Sequence, residues 1–85
     1  GQEGALLAEP EGVVRLPALD VPALGAVGAG DSFTAGMVLA LARGESPRAA
    51  FAWGMATGAA AVMRPGTARP RAEDVARLRA TISLA

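Results

Sequence analysis

The sequence predicts an α/β fold in which a β-hairpin is followed by three helices. Two short apolar runs, at residues 5–8 and 12–16, flank a segment with turn composition, as strands of a hairpin do. Three longer, alanine-rich stretches follow, each preceded by a polar residue or a proline that can start a helix. A hairpin followed by helices is typical of one edge of a layered α/β domain. We therefore expect the 85 residues to be an incomplete domain.

The predicted hairpin turn is Glu9-Pro10-Glu11-Gly12. Proline at the second position and glycine at the fourth fit a type I turn. Pro17 and Pro22 come after the second strand. Because the residue before a proline avoids helical backbone angles, this stretch is expected to be extended or looped.

The first helix is predicted over residues 32–42, directly after a glycine-rich loop at residues 25–30. Asp31 and Ser32 carry short polar side chains, which cap the exposed N–H groups of a helix start. Gly44 supplies the predicted stop.

The second helix is predicted over residues 47–63, with Ser46 as its N-cap and Pro47 at its first position. It is nearly apolar on every side, which is typical of a helix that is buried all round. A hairpin and two other helices are expected to be too few to cover the second helix. We therefore expect that a partner layer is missing.

The third helix is predicted over residues 72–82, after Pro70. Its apolar residues Val75, Leu78 and Ile82 share one face. Acidic residues follow its predicted start, where they favour the positive end of the helix dipole.

The composition excludes several classes of site. The chain has no Cys, no His and no Lys, and its eight basic residues are all Arg. Disulfides, thiolate or imidazole metal sites and Ser–His–Asp triads are therefore excluded, and no metal-ligating residues are predicted. The Walker A phosphate loop is excluded as well, because it requires a lysine.

Charge and hydropathy argue against nucleic-acid and membrane partners. The formal net charge is zero, whereas nucleic-acid surfaces are strongly basic. The longest uncharged run, residues 49–63, is shorter than the ~20 residues that a membrane span needs. The sequence begins Gly1-Gln2-Glu3, with neither an initiating Met nor a signal-peptide pattern. We expect the interior of a longer, cytoplasmic protein whose beginning is missing.

The loop before the first helix is the candidate for chemistry. A glycine-rich turn that runs into a helix N-terminus presents free N–H groups and suits an anion. Asp31 at that point could take a proton from a substrate hydroxyl, which would then attack a phosphoryl group. The alternative is purely structural, since Asp is a common N-cap and glycine often precedes helices. A dinucleotide-binding loop is weakly supported, because Phe33 stands where its third glycine would be.

The residues Val27-Gly28-Ala29-Gly30-Asp31-Ser32-Phe33-Thr34-Ala35-Gly36 resemble the second signature of the ribokinase-like (PfkB) carbohydrate kinases. Residues 51–61 resemble the long small-residue helix of that family, and Pro65-Gly66-Thr67 resembles the loop after it. The resemblance covers essentially the whole chain. It favours the branch that phosphorylates phosphosugars, which includes phosphofructokinases and tagatose-6-phosphate kinase.

The resemblance implies a three-layer α/β/α ribokinase-like fold, of which residues 1–85 form the C-terminal, nucleotide-side part. It implies transfer of the γ-phosphate of ATP, with Mg²⁺, to a sugar or phosphosugar hydroxyl. Asp31 would be the catalytic base, and Gly28, Ala29 and Gly30 would form the anion hole.

Further residues are assigned by the same resemblance. Those that would border ATP are Gly1, Gly4, Met55 and Gly58. The carbonyl groups of Arg64 and Gly66 would help to hold a monovalent cation. Many family members carry an Asp-Thr pair just before the signature, and the Asp helps to bind that cation. This chain has Gly25-Ala26 there instead.

The expected partners are ATP, the sugar substrate and the missing N-terminal part of the same kinase, with a homodimer possible in the intact protein. Residues 1–85 alone are expected to be inactive. An alternative from another class is a non-catalytic nucleotide-binding or assembly fragment of a degenerate kinase.

Overall fold

The computed structural model describes residues 4–22, 28–64 and 69–84. The elements in chain order are strands β1 (Ala5–Glu9) and β2 (Gly12–Leu16) and helices α1 (Ala29–Ala42), α2 (Pro47–Val62) and α3 (Ala72–Ala80). This order confirms the predicted α/β arrangement of a hairpin followed by three helices.

The two strands pair antiparallel, with Ala5 opposite Leu16. Successive side chains of a strand point to opposite faces. The inner face packs Leu7 and Leu16 against the helices. The outer face leaves Leu6 and Val13 more than half exposed. The hairpin is therefore apolar on both faces, and the described part of the chain covers only one of them.

Helix α2 is the centre of the structure. It contacts α1, α3 and β1, and none of residues 49–62 is exposed. The expectation that the chain has too few elements to cover this helix is therefore wrong. The reason is side-chain size: α2 consists mainly of Ala and Gly, so its neighbours approach closely and three of them surround it. In the described part of the chain, no helix is long and apolar enough to span a membrane.

A second uncovered apolar surface, besides the outer face of the hairpin, lies on α1. Its residues Val38, Leu39 and Leu41 are 59%, 52% and 42% exposed. Two contacts show that α1 and α2 run antiparallel. Near the start of α1, Ala29 lies against Gly58, and two turns later Met37 lies against Gly54, which comes earlier in α2.

The core consists of two groups of side chains, one along residues 51–55 of α2 and one along residues 56–60. The first contains Leu16, Phe51, Ala52 and Met55, and the second contains Ala56, Ala60 and Leu78. In the first group, the rings of Phe33 and Phe51 meet edge to face, with centroids 5.9 Å apart. Ile82 packs against both groups and so connects the end of the chain to each.

Helix α3 presents Val75 and Leu78 to α2, as its predicted apolar face requires. It ends at Ala80, two residues before the predicted end. The N–H groups of Thr81 and Ile82 donate to carbonyls three residues back, at 3.1 Å each, so the last turn tightens. The tightened turn still brings Ile82 onto the core.

Candidate functional site

Helix α1 begins earlier than predicted. Gly28 is its N-cap, with a φ of 83° in the left-handed region, and Ala29 is its first residue. The N–H of Ser32 donates to the carbonyl of Gly28 at 2.9 Å, the first bond of the helix. The prediction that Asp31 and Ser32 form the cap is therefore wrong. A glycine that adopts a positive φ starts this helix without a capping side chain.

This start leaves donors open at the N-terminus of α1. The first four N–H groups of a helix lack partners within the helix, and among the described residues no side chain caps them. Gly30 and Asp31 are exposed and Ala29 is partly buried. An uncapped N-terminus carries partial positive charge and suits an anion. The structure thus gathers the four residues at 28–31 at one open helix end.

Gly58 of α2 lies directly beside this helix end. A Cβ atom built on Gly58 would stand 3.3 Å from the carbonyl oxygen of Ala29 and 3.4 Å from Cβ of Phe33. The backbone of α2 therefore touches the first turn of α1. Of the residues predicted to border a nucleotide, Gly58 is brought next to the glycine loop.

Gly4 and Met55 have evident packing roles. Gly4 has a φ of 91°, and a Cβ there would overlap the carbonyl oxygen of Leu16. Met55 is 8% exposed and belongs to the core group that includes Phe51. Their predicted contact with a nucleotide stays a prediction. Gly1, also predicted to border the nucleotide, lies outside the described residues.

The hairpin is oriented by an ion pair. Nη2 of Arg48 donates to Oε1 of Glu9 at 2.7 Å, which fixes the hairpin turn near the start of α2. The open end of the hairpin also packs on α2, where Leu16 lies in the core group of Phe51. The start of α1 lies beside the C-terminal half of α2.

Arg64 follows the last turn of α2, at the same end of the molecule. Its backbone N–H donates to the carbonyl of Ala61 at 3.1 Å. Its side-chain Nε is buried and has no hydrogen-bond partner among the described residues. Gly66, predicted with Arg64 to hold a monovalent cation, lies outside the described residues.

Sequence reasoning did not find the helix contact at Gly58. It assigned this residue to the nucleotide by resemblance. Gly54 and Gly58 are four residues apart, and this spacing places both on one helix face. The spacing is the signal from which a close approach of another helix could have been predicted.

The described residues do not form a magnesium site of their own. Among them, no group of three or more Asp or Glu side chains is placed to hold a metal ion. Magnesium often binds through substrate phosphates and few protein carboxylates.

Comparison with known proteins gives one consistent result. The model of the pfkB family carbohydrate kinases matches residues 1–74. The chain is 39% identical, over 77 residues, to the ATP-dependent 6-phosphofructokinase isozyme 2 of Mycobacterium tuberculosis, which covers 91% of this chain and 23% of that protein. It is 40% identical, over 75 residues, to the 1-phosphofructokinase of Haloferax volcanii, which covers 88% of this chain and 25% of that protein.

Solved structures that are similar to this chain also include a phosphofructokinase. The fold is similar to that of phosphofructokinase-2 from Escherichia coli in complex with potassium, with a TM-score of 0.85 and 32% identity. That match covers 93% of this chain and 26% of the other. The chain thus spans about a quarter of the length of the relatives that it matches.

Proposed function

The chain belongs to the pfkB family of carbohydrate kinases, and on that premise we propose that the intact protein transfers the γ-phosphoryl group of ATP to a hydroxyl of a sugar or phosphosugar. Residues 1–85 would supply the C-terminal, nucleotide-side part of the catalytic domain. The observation that carries the proposal is the open first turn of α1. There a left-handed glycine, N–H groups that no described side chain caps and an exposed carboxylate lie within four residues.

Asp31 is the base in this proposal. Its carboxylate accepts the proton of the substrate hydroxyl. The hydroxyl oxygen forms a bond to the γ-phosphorus while the bond from that phosphorus to the bridging oxygen of ATP breaks. ADP leaves with the electron pair of the broken bond. The exposure of Asp31 leaves its carboxylate accessible to a substrate.

The N–H groups of Gly28, Ala29 and Gly30 form the anion hole. Phosphoryl transfer depends on positioning and on stabilising the charge of the transferring group. Backbone donors held rigidly at a helix start are already aimed, so they need no reorganisation during the reaction. The proposal is supported by the first turn of α1, which no side chain of the described residues caps.

The nucleotide is proposed to enter as MgATP, since magnesium often binds through substrate phosphates and few protein carboxylates. Gly1, Gly4 and Met55 would border it. A monovalent cation near the carbonyls of Arg64 and Gly66 is supported by the potassium complex of the Escherichia coli relative.

For the acceptor we favour a phosphorylated hexose, because both curated relatives described above are phosphofructokinases. The test is ADP release by the full-length protein, with fructose 6-phosphate and other sugar phosphates compared with ribose and free fructose. We expect the highest kcat/KM with a phosphosugar. A higher value with ribose or fructose would reverse the substrate assignment.

The same assay decides whether the protein is a kinase at all. ADP release that depends on one of these sugars supports the proposal. Binding of ATP without ADP release with any acceptor would instead favour a non-catalytic nucleotide-binding protein.

A further inference from the structure

The contact between Gly58 and the first turn of α1 leaves little room for a side chain at Gly58. Gly58 lies inside a regular helix, so no positive φ requires a glycine there. The space beside it is what requires one, since a Cβ would stand 3.3 Å from the Ala29 carbonyl oxygen. By contrast, a Cβ on Gly30 would meet nothing within 4 Å. The first turn of α1 is therefore constrained on its α2 side and open on its solvent side.

We infer that Gly58 is a positioning residue for phosphoryl transfer. Its missing side chain sets the distance between α2 and the first turn of α1. That distance in turn sets where the N–H groups of residues 28–30 and the carboxylate of Asp31 lie. The inference rests on the proposed function, and it assigns Gly58 a role through α1 in place of a direct contact with the nucleotide.

The expected effect follows from the tolerance of catalytic geometry. A methyl group at Gly58 forces the Ala29 carbonyl or the α2 backbone to move by a few tenths of an ångström. Catalytic groups must be held within ~0.5 Å, and a misplacement of ~1 Å can reduce the rate ~100-fold. For Gly58→Ala we expect kcat to fall about 3- to 10-fold, with a larger loss in Gly58→Val.

In Gly58→Ala we expect a loss of kcat without a matching loss of thermal stability. Alanine is the better helix former, and this gain offsets the cost of the tight contact. The melting temperature should therefore change little while kcat falls. The KM for ATP should stay near that of the unmodified protein, since the substitution acts on the position of the base and the anion hole.

Gly54→Ala is the matched control. It makes the same change on the same helix, one turn earlier. Its Cβ would stand 2.9 Å from the carbonyl oxygen of Phe33, a tighter contact than at Gly58. If both glycines serve packing alone, Gly54→Ala loses more melting temperature and also more activity. Positioning predicts the opposite rank for activity: Gly58→Ala loses more kcat although it loses less stability.

The experiment is steady-state kinetics and thermal unfolding of the full-length protein, its Gly58→Ala and Gly54→Ala variants, and Asp31→Asn. The inverted rank supports the inference. A raised KM for ATP at normal kcat in Gly58→Ala would show direct nucleotide contact and overturn it. Losses of kcat in proportion to losses of melting temperature would overturn it as well. Absence of phosphoryl transfer by the unmodified protein, or full activity of Asp31→Asn, would instead contradict the proposed function.

Discussion

Helices α1 and α2 are similar in length and both are apolar, yet they lie in opposite environments. Over residues 49–62, α2 has no exposed position. In α1, by contrast, Val38, Leu39 and Leu41 face outwards. Side-chain size explains the difference, since Ala and Gly admit neighbours on every side of α2, whereas α1 presents long aliphatic side chains to the outside. Apolar content alone therefore does not identify the central helix of a short chain.

The two helices also contribute differently to the candidate site. α2 provides a covered platform with few polar atoms, and α1 rests on it with an open N-terminus that carries Asp31. The contact at Gly58 joins the platform to this open turn.

Asp31→Asn in the full-length protein should have the largest effect. An amide cannot accept the hydroxyl proton, and general base catalysis is worth about 10²- to 10⁴-fold in rate. We expect kcat to fall by at least two orders of magnitude, with little change in ATP affinity. Initial rates of ADP release and equilibrium binding of ATP measure the two quantities.

Glu45→Gln is the control for this charge change. Glu45 is also an exposed carboxylate, but it follows the opposite end of α1. Its removal should leave kcat unchanged. If Asp31→Asn keeps a kcat close to that of Glu45→Gln, Asp31 is not the base.

Phe51→Ala should have the largest effect on stability. Phe51 is 3% exposed and meets the ring of Phe33 edge to face. Truncation of a buried Phe costs about 3–5 kcal/mol, because it leaves a cavity among residues that cannot fully relax. Thermal unfolding of the full-length protein should show a correspondingly large drop. An equal drop for Leu6→Ala, on the exposed outer face of the hairpin, would contradict α2 as the centre of the core.

Much of this fold could be predicted from the sequence, because the relevant signals are local. The Glu9-Pro10-Glu11-Gly12 turn and the Ser46-Pro47 helix start fix the order of elements, and the structure has that order. The coverage of α2 could not be predicted in this way. It depends on how closely neighbours approach, and this is a property of pairs of helices.

The site was predictable in part for the same reason. The composition of residues 28–31 predicts a helix start that could bind an anion, and the structure has a helix start there. The helix start itself was misplaced by three residues, from Ala29 to Ser32. Side-chain preferences suggested a cap, whereas the actual start depends on the backbone angle of Gly28, which the sequence does not specify.

Leu39→Gln tests the outer face of α1. Leu39 is 52% exposed beside two other exposed aliphatic residues, and contiguous apolar surface of this kind favours association. We expect residues 1–85 alone to self-associate and to transfer no phosphate. The substitution should weaken that association by about 1 kcal/mol, as expected for a half-exposed leucine. Sedimentation velocity measures the weaker association as a shift of the average mass towards the 8.5 kDa of the monomer.

The same substitution in the full-length protein separates two explanations of the face. If the rest of the domain covers Leu39, Leu39→Gln lowers the melting temperature there. If the face is free, the melting temperature stays the same. A clean 8.5 kDa monomer of residues 1–85 with a sharp, concentration-independent unfolding transition would contradict the interpretation of this chain as a fragment.

The ion pair between Arg48 and Glu9 should have the smallest effect, although it fixes the hairpin turn at the start of α2. The Arg48 side chain is 44% exposed, so water and salt screen the pair. A double-mutant cycle with Arg48→Ala and Glu9→Ala should give a coupling of about 0.2–1 kcal/mol that falls as salt is added. The pair of Arg71 and Glu73, at 3.9 Å and more exposed, should give a coupling near zero. A coupling for Arg48 and Glu9 well above this range, and insensitive to salt, would mean that the start of α2 is covered in the intact protein. In that case the rest of the domain would cover the polar start of α2, which is exposed in residues 1–85.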